Sequence, residues 1–86
     1  MAGDVHQRME DKLRSAFKPR HLVITDESAL HAGHAGAPEG GESHFHVEIS
    51  AEALDGLSRL ERQRAVNKVL AEELAGPVHA LRMTVR

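Results

Sequence analysis

The sequence predicts a small α/β fold with the element order α-β-β-α-β. The chain has 86 residues, which is the size of a single domain. Two segments carry apolar residues every three or four positions, as amphipathic helices do, and others alternate apolar with polar residues, as strands do. Since a helix separates the last two strands, we expect them to be parallel and the first two antiparallel. The result is a three-stranded mixed sheet with both helices on one face.

The first helix is predicted over about residues 5–17. Its apolar stripe consists of Val5, Met9, Leu13, Ala16 and Phe17. Charged residues fall largely outside this stripe, so the helix should bury one side only. Pro19 prevents the helix from continuing, because proline lacks a backbone N–H.

The first two strands are predicted on either side of a long connection. Strand one is the aliphatic run from Leu22 to Asp26, and strand two alternates the apolar residues Phe45, Val47 and Ile49 with His44, His46 and Glu48. The connection, about residues 29–43, is rich in glycine, and we expect a flexible loop, since loops of this length are usually functional or mobile. Asp26, Glu27 and Ser28 should end strand one and organise the loop through hydrogen bonds to the backbone.

The second helix is predicted over about residues 59–75. Ser58 and Glu61 form a capping box, and Gly76-Pro77 ends the helix. Before it, Ala51 to Leu57 should make one tight turn that places Leu54 in the core. The third strand is predicted from Val78 to Val85, with His79 on the same parity as the apolar residues Leu81, Met83 and Val85.

Composition excludes several classes of function. The chain has no Cys, so it can form no disulfide framework and no Cys-ligated zinc site of its own. With two Phe and no Trp or Tyr it cannot stack bases on a row of aromatic side chains. A net charge of −2 argues against a generally basic surface for nucleic acid or membranes. No stretch resembles a membrane span or leader, so we expect a cytoplasmic protein. We also expect the chain to be monomeric when alone.

Five segments occur in an order and spacing that resemble the BolA family. They are Leu22-Val-Ile-Thr-Asp-Glu-Ser28, His31-Ala-Gly-His34, Glu42-Ser-His-Phe45, Gly56-Leu-Ser-x-x-x-Arg-x-Arg64 and Val78-His-Ala-Leu81. The resemblance implies a type II KH-like fold and work with a monothiol glutaredoxin in iron–sulfur cluster handling, and some relatives are DNA-binding transcriptional regulators. The chain departs from the family pattern at Leu54, where Phe is usual, and at Gln63, where His is usual.

The resemblance also implies a pair of metal ligands. These are His79 and a loop histidine, which by its distance from Asp26 is His31, with His34 as the alternative. They would co-ligate a [2Fe–2S] cluster shared with a glutaredoxin and glutathione in a heterodimer, with no cluster held by this chain alone. Without the resemblance, a histidine of apolar parity such as His79 indicates a partly buried core residue.

Alternatives to this site are open. His44 and His46 project from one face of strand two and could form a zinc site with a loop histidine. Basic residues give segment 59–68 a local charge of +3 that could contact duplex DNA or an acidic partner, namely Arg59, Arg62, Arg64 and Lys68. Catalysis is not expected, because Ser28 and His31 in a flexible loop lack the rigid surroundings that a catalytic group needs.

Overall fold

The computed structural model describes residues 4–28 and 43–86. Its elements are α1 (Asp4–Phe17), β1 (His21–Asp26), β2 (His44–Ser50), a short 3₁₀ helix (Glu52–Leu54), α2 (Arg59–Val69), α3 (Ala71–Ala75) and β3 (Ala80–Val85). The predicted order is confirmed, with the second helix divided in two. Except for Ser43, the predicted flexible loop lies outside the described residues. None of the helices formed by the described residues has the length and apolar character needed to cross a membrane.

The sheet has the predicted mixed topology. Its strand order is β1-β2-β3, with β1 antiparallel to β2 and β3 parallel to β2. The register pairs His21 with Ser50 on one side of β2 and His44 with Ala80 on the other. The central strand is therefore β2, and β3 is an edge strand. The type II KH-like label stays a prediction.

One face of the sheet carries the core. Alternate residues of β2 are buried, and they form one cluster with side chains from α1 and α2, namely Phe45, Val47, Ile49, Val5, Met9, Leu13 and Val66. Both helices therefore cover the same face, as predicted. One member of the predicted α1 stripe, Ala16, is exposed, because at the last turn Phe17 packs against the core instead.

The predicted second helix is interrupted at Leu70. Backbone angles of φ −99° and ψ 19° take this residue out of the α-helical region and separate α2 from α3. The hydrogen bonds from Leu70 N–H to the Val66 carbonyl and from Leu74 N–H to the Leu70 carbonyl still cross the break. Apolar spacing continues through the bend, and for this reason periodicity predicts one helix.

The third strand begins later than predicted, at Ala80. Val78 is buried, and its N–H donates to the Glu73 carbonyl at 2.9 Å, so it belongs to the connection that follows α3. The side chain of His79 is exposed. Its assignment to the apolar parity, and with it the expectation of a partly buried core histidine, is wrong, because the period of two applies only to residues within the paired strand.

The tight turn and the second helix start are confirmed. Leu54 is fully buried within the 3₁₀ helix. The hydroxyl of Ser58 accepts from Glu61 N–H, and the Glu61 carboxylate accepts from Ser58 N–H, which completes the capping box. Hydrogen bonding from the Ser58 side chain, and secondly from its backbone N–H, lowers the pKa of the Glu61 carboxyl. The chain reverses before Ser58 through Gly56, whose φ of +82° costs glycine little.

Candidate functional site

The candidate ligand His79 lies between α3 and β3 with its imidazole exposed. Its backbone N–H donates to the Ser43 carbonyl at 2.7 Å, and Ala80 N–H donates to the same oxygen at 3.2 Å. Val78, the preceding residue, is buried in the core. The backbone of His79 is therefore fixed from both sides while its ring remains accessible.

Two buried serines, Ser28 and Ser43, which flank in sequence the segment that contains His31 and His34, are hydrogen-bonded to each other. Ser43 N–H donates to Ser28 Oγ at 2.9 Å, and the two hydroxyl groups lie 3.2 Å apart. Asp26 Oδ1 accepts from Ser28 N–H at 2.8 Å, which confirms the predicted role of this carboxylate in ending β1. Since the Ser43 carbonyl also accepts from His79 N–H, Ser28 and Ser43 both lie near the start of β3.

His44 forms a pair with His79 that sequence reasoning missed. The two ring centroids are 6.2 Å apart and the ring planes are inclined by 47°. His44 Nδ1 lies 2.8 Å from Ser43 Oγ. The pair exists because the parallel register places His44 beside Ala80, next to His79. A sequence shows two histidines 35 positions apart, and only the register brings their rings together.

His46 is directed elsewhere. The Nε2 atom of His46 lies 2.8 Å from Thr84 Oγ1 on β3. His46 is therefore hydrogen-bonded to β3 further along the strand than Ala80, which pairs with His44. The alternative zinc site needs His44, His46 and a loop histidine. His31 and His34 lie outside the described residues. Over residues 4–28 and 43–86, no three side chains of His, Asp or Glu lie close enough together to hold a metal ion.

A carboxylate–guanidinium pair spans the exposed face of the sheet beside this site. The Glu27 carboxylate accepts from Arg82 Nε at 2.9 Å and from Arg82 Nη2 at 2.6 Å. Glu27 N–H donates to the His44 carbonyl at 2.7 Å. Hydrogen bonding and charge attraction from Glu27 raise the pKa of Arg82. The pair connects the end of β1 to β3 across β2.

The basic residues of α2 do not share one face. Arg59 and Arg62 line a cavity of about 530 Å³ between α2 and β3, whereas Arg64 and Lys68 are exposed and do not line it. At 3.6 residues per turn, Arg64 points roughly 140° away from Arg59 around the helix axis. Arg62 also donates from Nε to the Leu54 carbonyl at 3.1 Å. The structure thus brings together two of the four predicted cations.

Comparison with known proteins identifies related sequences. A family model described as BolA-like protein matches residues 13–86, a range that contains every described residue of the site. Human BolA-like protein 1 is 43% identical over 84 residues, which cover 98% of this chain and 58% of the human protein. The DNA-binding transcriptional regulator BolA of Escherichia coli strain K12 is 43% identical over 77 residues, covering 90% of this chain and 70% of that protein. The chain therefore spans little more than half of its human relative.

Comparison with solved structures also identifies BolA domains as similar to this chain. The BolA domain of SufE1 from Arabidopsis thaliana superposes with a TM-score of 0.87 at 32% identity, covering 100% of this chain and 94% of that domain. This likeness extends to the whole three-stranded sheet and the helices that cover one face of it.

Proposed function

Since the chain belongs to the BolA-like protein family, we propose that it is an adaptor that forms a heterodimer with a monothiol glutaredoxin and co-ligates a [2Fe–2S] cluster for assembly, transfer or iron sensing. Its ligands are His79 and a loop histidine, His31 or His34. The remaining ligands come from the glutaredoxin cysteine and from glutathione. The protein acts by binding and not by catalysis.

One observation carries this proposal: exposed His79 is bonded through its backbone to Ser43, one of the two paired serines that flank the loop histidines in sequence. Ser43 binds both Ser28 and the backbone of His79. His31 and His34 both lie in the sequence between these two serines, so either is a candidate for the loop ligand.

The donor set fits an iron–sulfur cluster that a second molecule also holds. Neutral imidazole is a suitable iron ligand, and a chain without cysteine cannot hold such a cluster by thiolates of its own. The cluster, when bound, supplies a redox centre whose potential rises when histidine replaces cysteine. The exposure of His79 lets the partner approach, and the bond from its N–H to Ser43 fixes the origin of the ligand side chain.

The test is anaerobic reconstitution of the chain with a monothiol glutaredoxin, glutathione, iron and sulfide. We expect a heterodimer by native mass spectrometry, with a visible absorption spectrum that differs from that of the glutaredoxin alone. His79→Ala should abolish the difference, since it removes the ligand. His31→Ala and His34→Ala, made separately, identify the loop ligand. His21→Ala is the matched control, because His21 is exposed at the opposite end of the sheet and binds Glu48.

A spectrum unchanged by His79→Ala would show that the ligand assignment is wrong. Acidification supplies a second readout, because protons compete with iron for the ligand nitrogen. The heterodimer should lose its cluster as the pH falls from about 8 to about 5, through the range in which histidine takes up a proton.

A second candidate function is transcriptional regulation by binding duplex DNA. It is favoured by the name of the Escherichia coli relative, a DNA-binding transcriptional regulator, and by the guanidinium groups of Arg59 and Arg62 on α2. Such binding should weaken steeply with salt and with Arg59→Ala/Arg62→Ala, yet it should survive His79→Ala. The two functions are thus separable with variants of the same chain.

A further inference from the structure

The outer edge of β3 borders the cavity beneath α2. Among the strands formed by residues 4–28 and 43–86, the order is β1-β2-β3, so β3 pairs with β2 on one side and with no described strand on the other. The cavity of about 530 Å³ beside it is lined by Leu81, Met83, Thr84, Val85, Arg59, Arg62, Gln63 and Asn67. Inward-facing Leu81, Met83 and Val85 are only half buried. Strand edge and cavity together form a groove open to an extended chain, which we call the edge groove.

The backbone of β3 presents donors and acceptors to the edge groove. Ala80 N–H donates to the Ser43 carbonyl and Arg86 N–H donates to the Ile49 carbonyl, so the even-numbered residues point their backbone groups toward β2. Because direction alternates along a strand, the N–H and C=O groups of Leu81, Met83 and Val85 point outward. An exposed row of this kind is a template for an added strand.

The charge of the edge groove selects its occupant. Two arginines and no acidic residue are among the residues that line it. Arg59 and Arg62 are three positions apart on a helix, which puts their Cβ atoms about 5–6 Å apart. In an extended peptide, side chains two positions apart lie on one face with a separation of roughly 6.7 Å. Two carboxylates in such an i, i+2 pattern match the two guanidinium groups.

The geometry points to a binding site for an acidic, extended segment of a partner protein, added to β3 as a fourth strand. Its backbone pairs with Leu81, Met83 and Val85, and alternate acidic side chains meet Arg59 and Arg62. Aliphatic side chains of the same parity contact the half-buried apolar residues. Neither His44 nor His79 is among the residues that line the edge groove, so the proposal uses no residue assigned to the cluster.

A synthetic peptide tests this with the full 86-residue chain. The probe is a heptapeptide of sequence Thr-Glu-Thr-Glu-Thr-Val-Thr, acetylated at its N-terminus and amidated at its C-terminus. In amide-detected NMR titration we expect the largest shifts at Leu81, Met83 and Val85, whose outward N–H groups should also exchange more slowly when the peptide is bound. The same peptide with lysine in place of glutamate should bind at least about tenfold more weakly.

Charge variants give the matched control. Arg59→Glu/Arg62→Glu should lose the acidic peptide and gain the lysine peptide, and this gain shows that the variant is folded. Arg64→Glu/Lys68→Glu makes the same change in net charge outside the edge groove and should leave binding of the acidic peptide within about twofold, because distant exposed charges are screened.

Three results would overturn the proposal. Equal binding of the acidic and lysine peptides would show that charge does not select the occupant. Shifts centred on Arg64 and Lys68, or on the exposed face near Arg82, would place the contact elsewhere. A single-stranded oligonucleotide that binds through Arg59 and Arg62 while the peptide fails to bind would assign the edge groove to nucleic acid.

Discussion

Leu54 illustrates how one side chain sets the fit of this small core. It occupies the 3₁₀ helix between β2 and α2 and is 0% exposed. Phe is usual at this position in the family that the sequence resembles. The neighbouring core residues are therefore packed around a smaller side chain here.

We predict that Leu54→Phe destabilises the protein by about 1–3 kcal/mol, because extra volume forces neighbours out of their preferred rotamers. Leu54→Ala should cost about 3–5 kcal/mol through lost burial and the cavity it leaves. Urea denaturation monitored by circular dichroism measures both. A Leu54→Phe variant as stable as the parent would contradict the prediction, since it would mean that the core holds space for the ring.

A second residue-scale prediction concerns pH. Arg20 Nη1 donates to Asp55 Oδ2 and Arg20 Nη2 donates to Asp55 Oδ1, each at 2.9 Å. This bond, with the charges of Arg20 and Arg62, lowers the pKa of Asp55 below its ordinary value of 3.8. A carboxyl whose pKa is lowered on folding adds stability above its unfolded pKa and loses it as the pH falls through the folded value.

Asp55→Asn should therefore be less stable than the parent above about pH 5, and the difference should shrink as the pH falls through the lowered pKa of Asp55. Urea midpoints measured across that range test this. In the background of Arg20→Gln the same substitution should have a smaller effect at neutral pH. A difference between parent and Asp55→Asn that does not vary with pH would show that the ion pair is not its source.

At the scale of elements, a buried carboxylate connects α3 to α1. Glu73 is 1% exposed, and both of its oxygens accept from Lys12 Nζ, at 3.1 and 2.9 Å. Arg8 Nε lies 3.6 Å from the same carboxylate. Ion pairs between Glu73 and the cations of α1 thus help to position the short helix α3 against α1. The spacing of apolar residues in the sequence does not predict such ion pairs.

We predict that Lys12→Met lowers the free energy of unfolding by about 2 kcal/mol, because it leaves the buried Glu73 carboxylate with Arg8 as its remaining cation. Replacing both partners, in Lys12→Met/Glu73→Leu, should recover most of the loss, since no uncompensated charge stays buried. Thermal unfolding of the two variants beside the parent gives the comparison. A double variant that is less stable than Lys12→Met would contradict the prediction, since it would show that the Lys12–Glu73 pair itself contributes net stability.

At the scale of the whole molecule, the hydrogen bonds between Ser28 and Ser43 connect residues 4–28 with residues 43–86 beside β3. Ser28 Oγ accepts from the N–H groups of both Ser43 and His44, at 2.9 and 3.2 Å. Through Ser43 these bonds reach His79 at the start of β3. One hydroxyl group thus joins the end of β1, the start of β2 and the candidate ligand.

Ser28→Ala should therefore destabilise the protein by about 1–3 kcal/mol, because it leaves buried backbone donors without their acceptor. Hydrogen exchange at the amides of Ser43 and His44 should accelerate more than exchange within α1. If the proposed heterodimer with glutaredoxin forms, the variant should release its cluster faster while keeping His79. Unchanged exchange at both amides would refute the role given to the hydroxyl.

Much of the fold was predictable because it is recorded in local patterns. The alternation of β2, the stripe of α1 and the capping box at Ser58 each express a constraint among neighbouring residues. The boundary errors share one cause. The bend at Leu70 and the late start of β3 depend on backbone angles and strand pairing that apolar spacing does not register.

The sequence by itself determined the element order and the mixed sheet and made His79 a candidate ligand, since periodicity, turn residues and family-like segments are all linear features. Only the tertiary structure decided that the ring of His79 is exposed and that His44 lies beside it. It also decided that Arg59 and Arg62 line a groove that Arg64 and Lys68 do not line. These facts depend on the register of β3 against β2 and on the rotation of α2 about its axis. Both are set by packing between residues far apart in the chain.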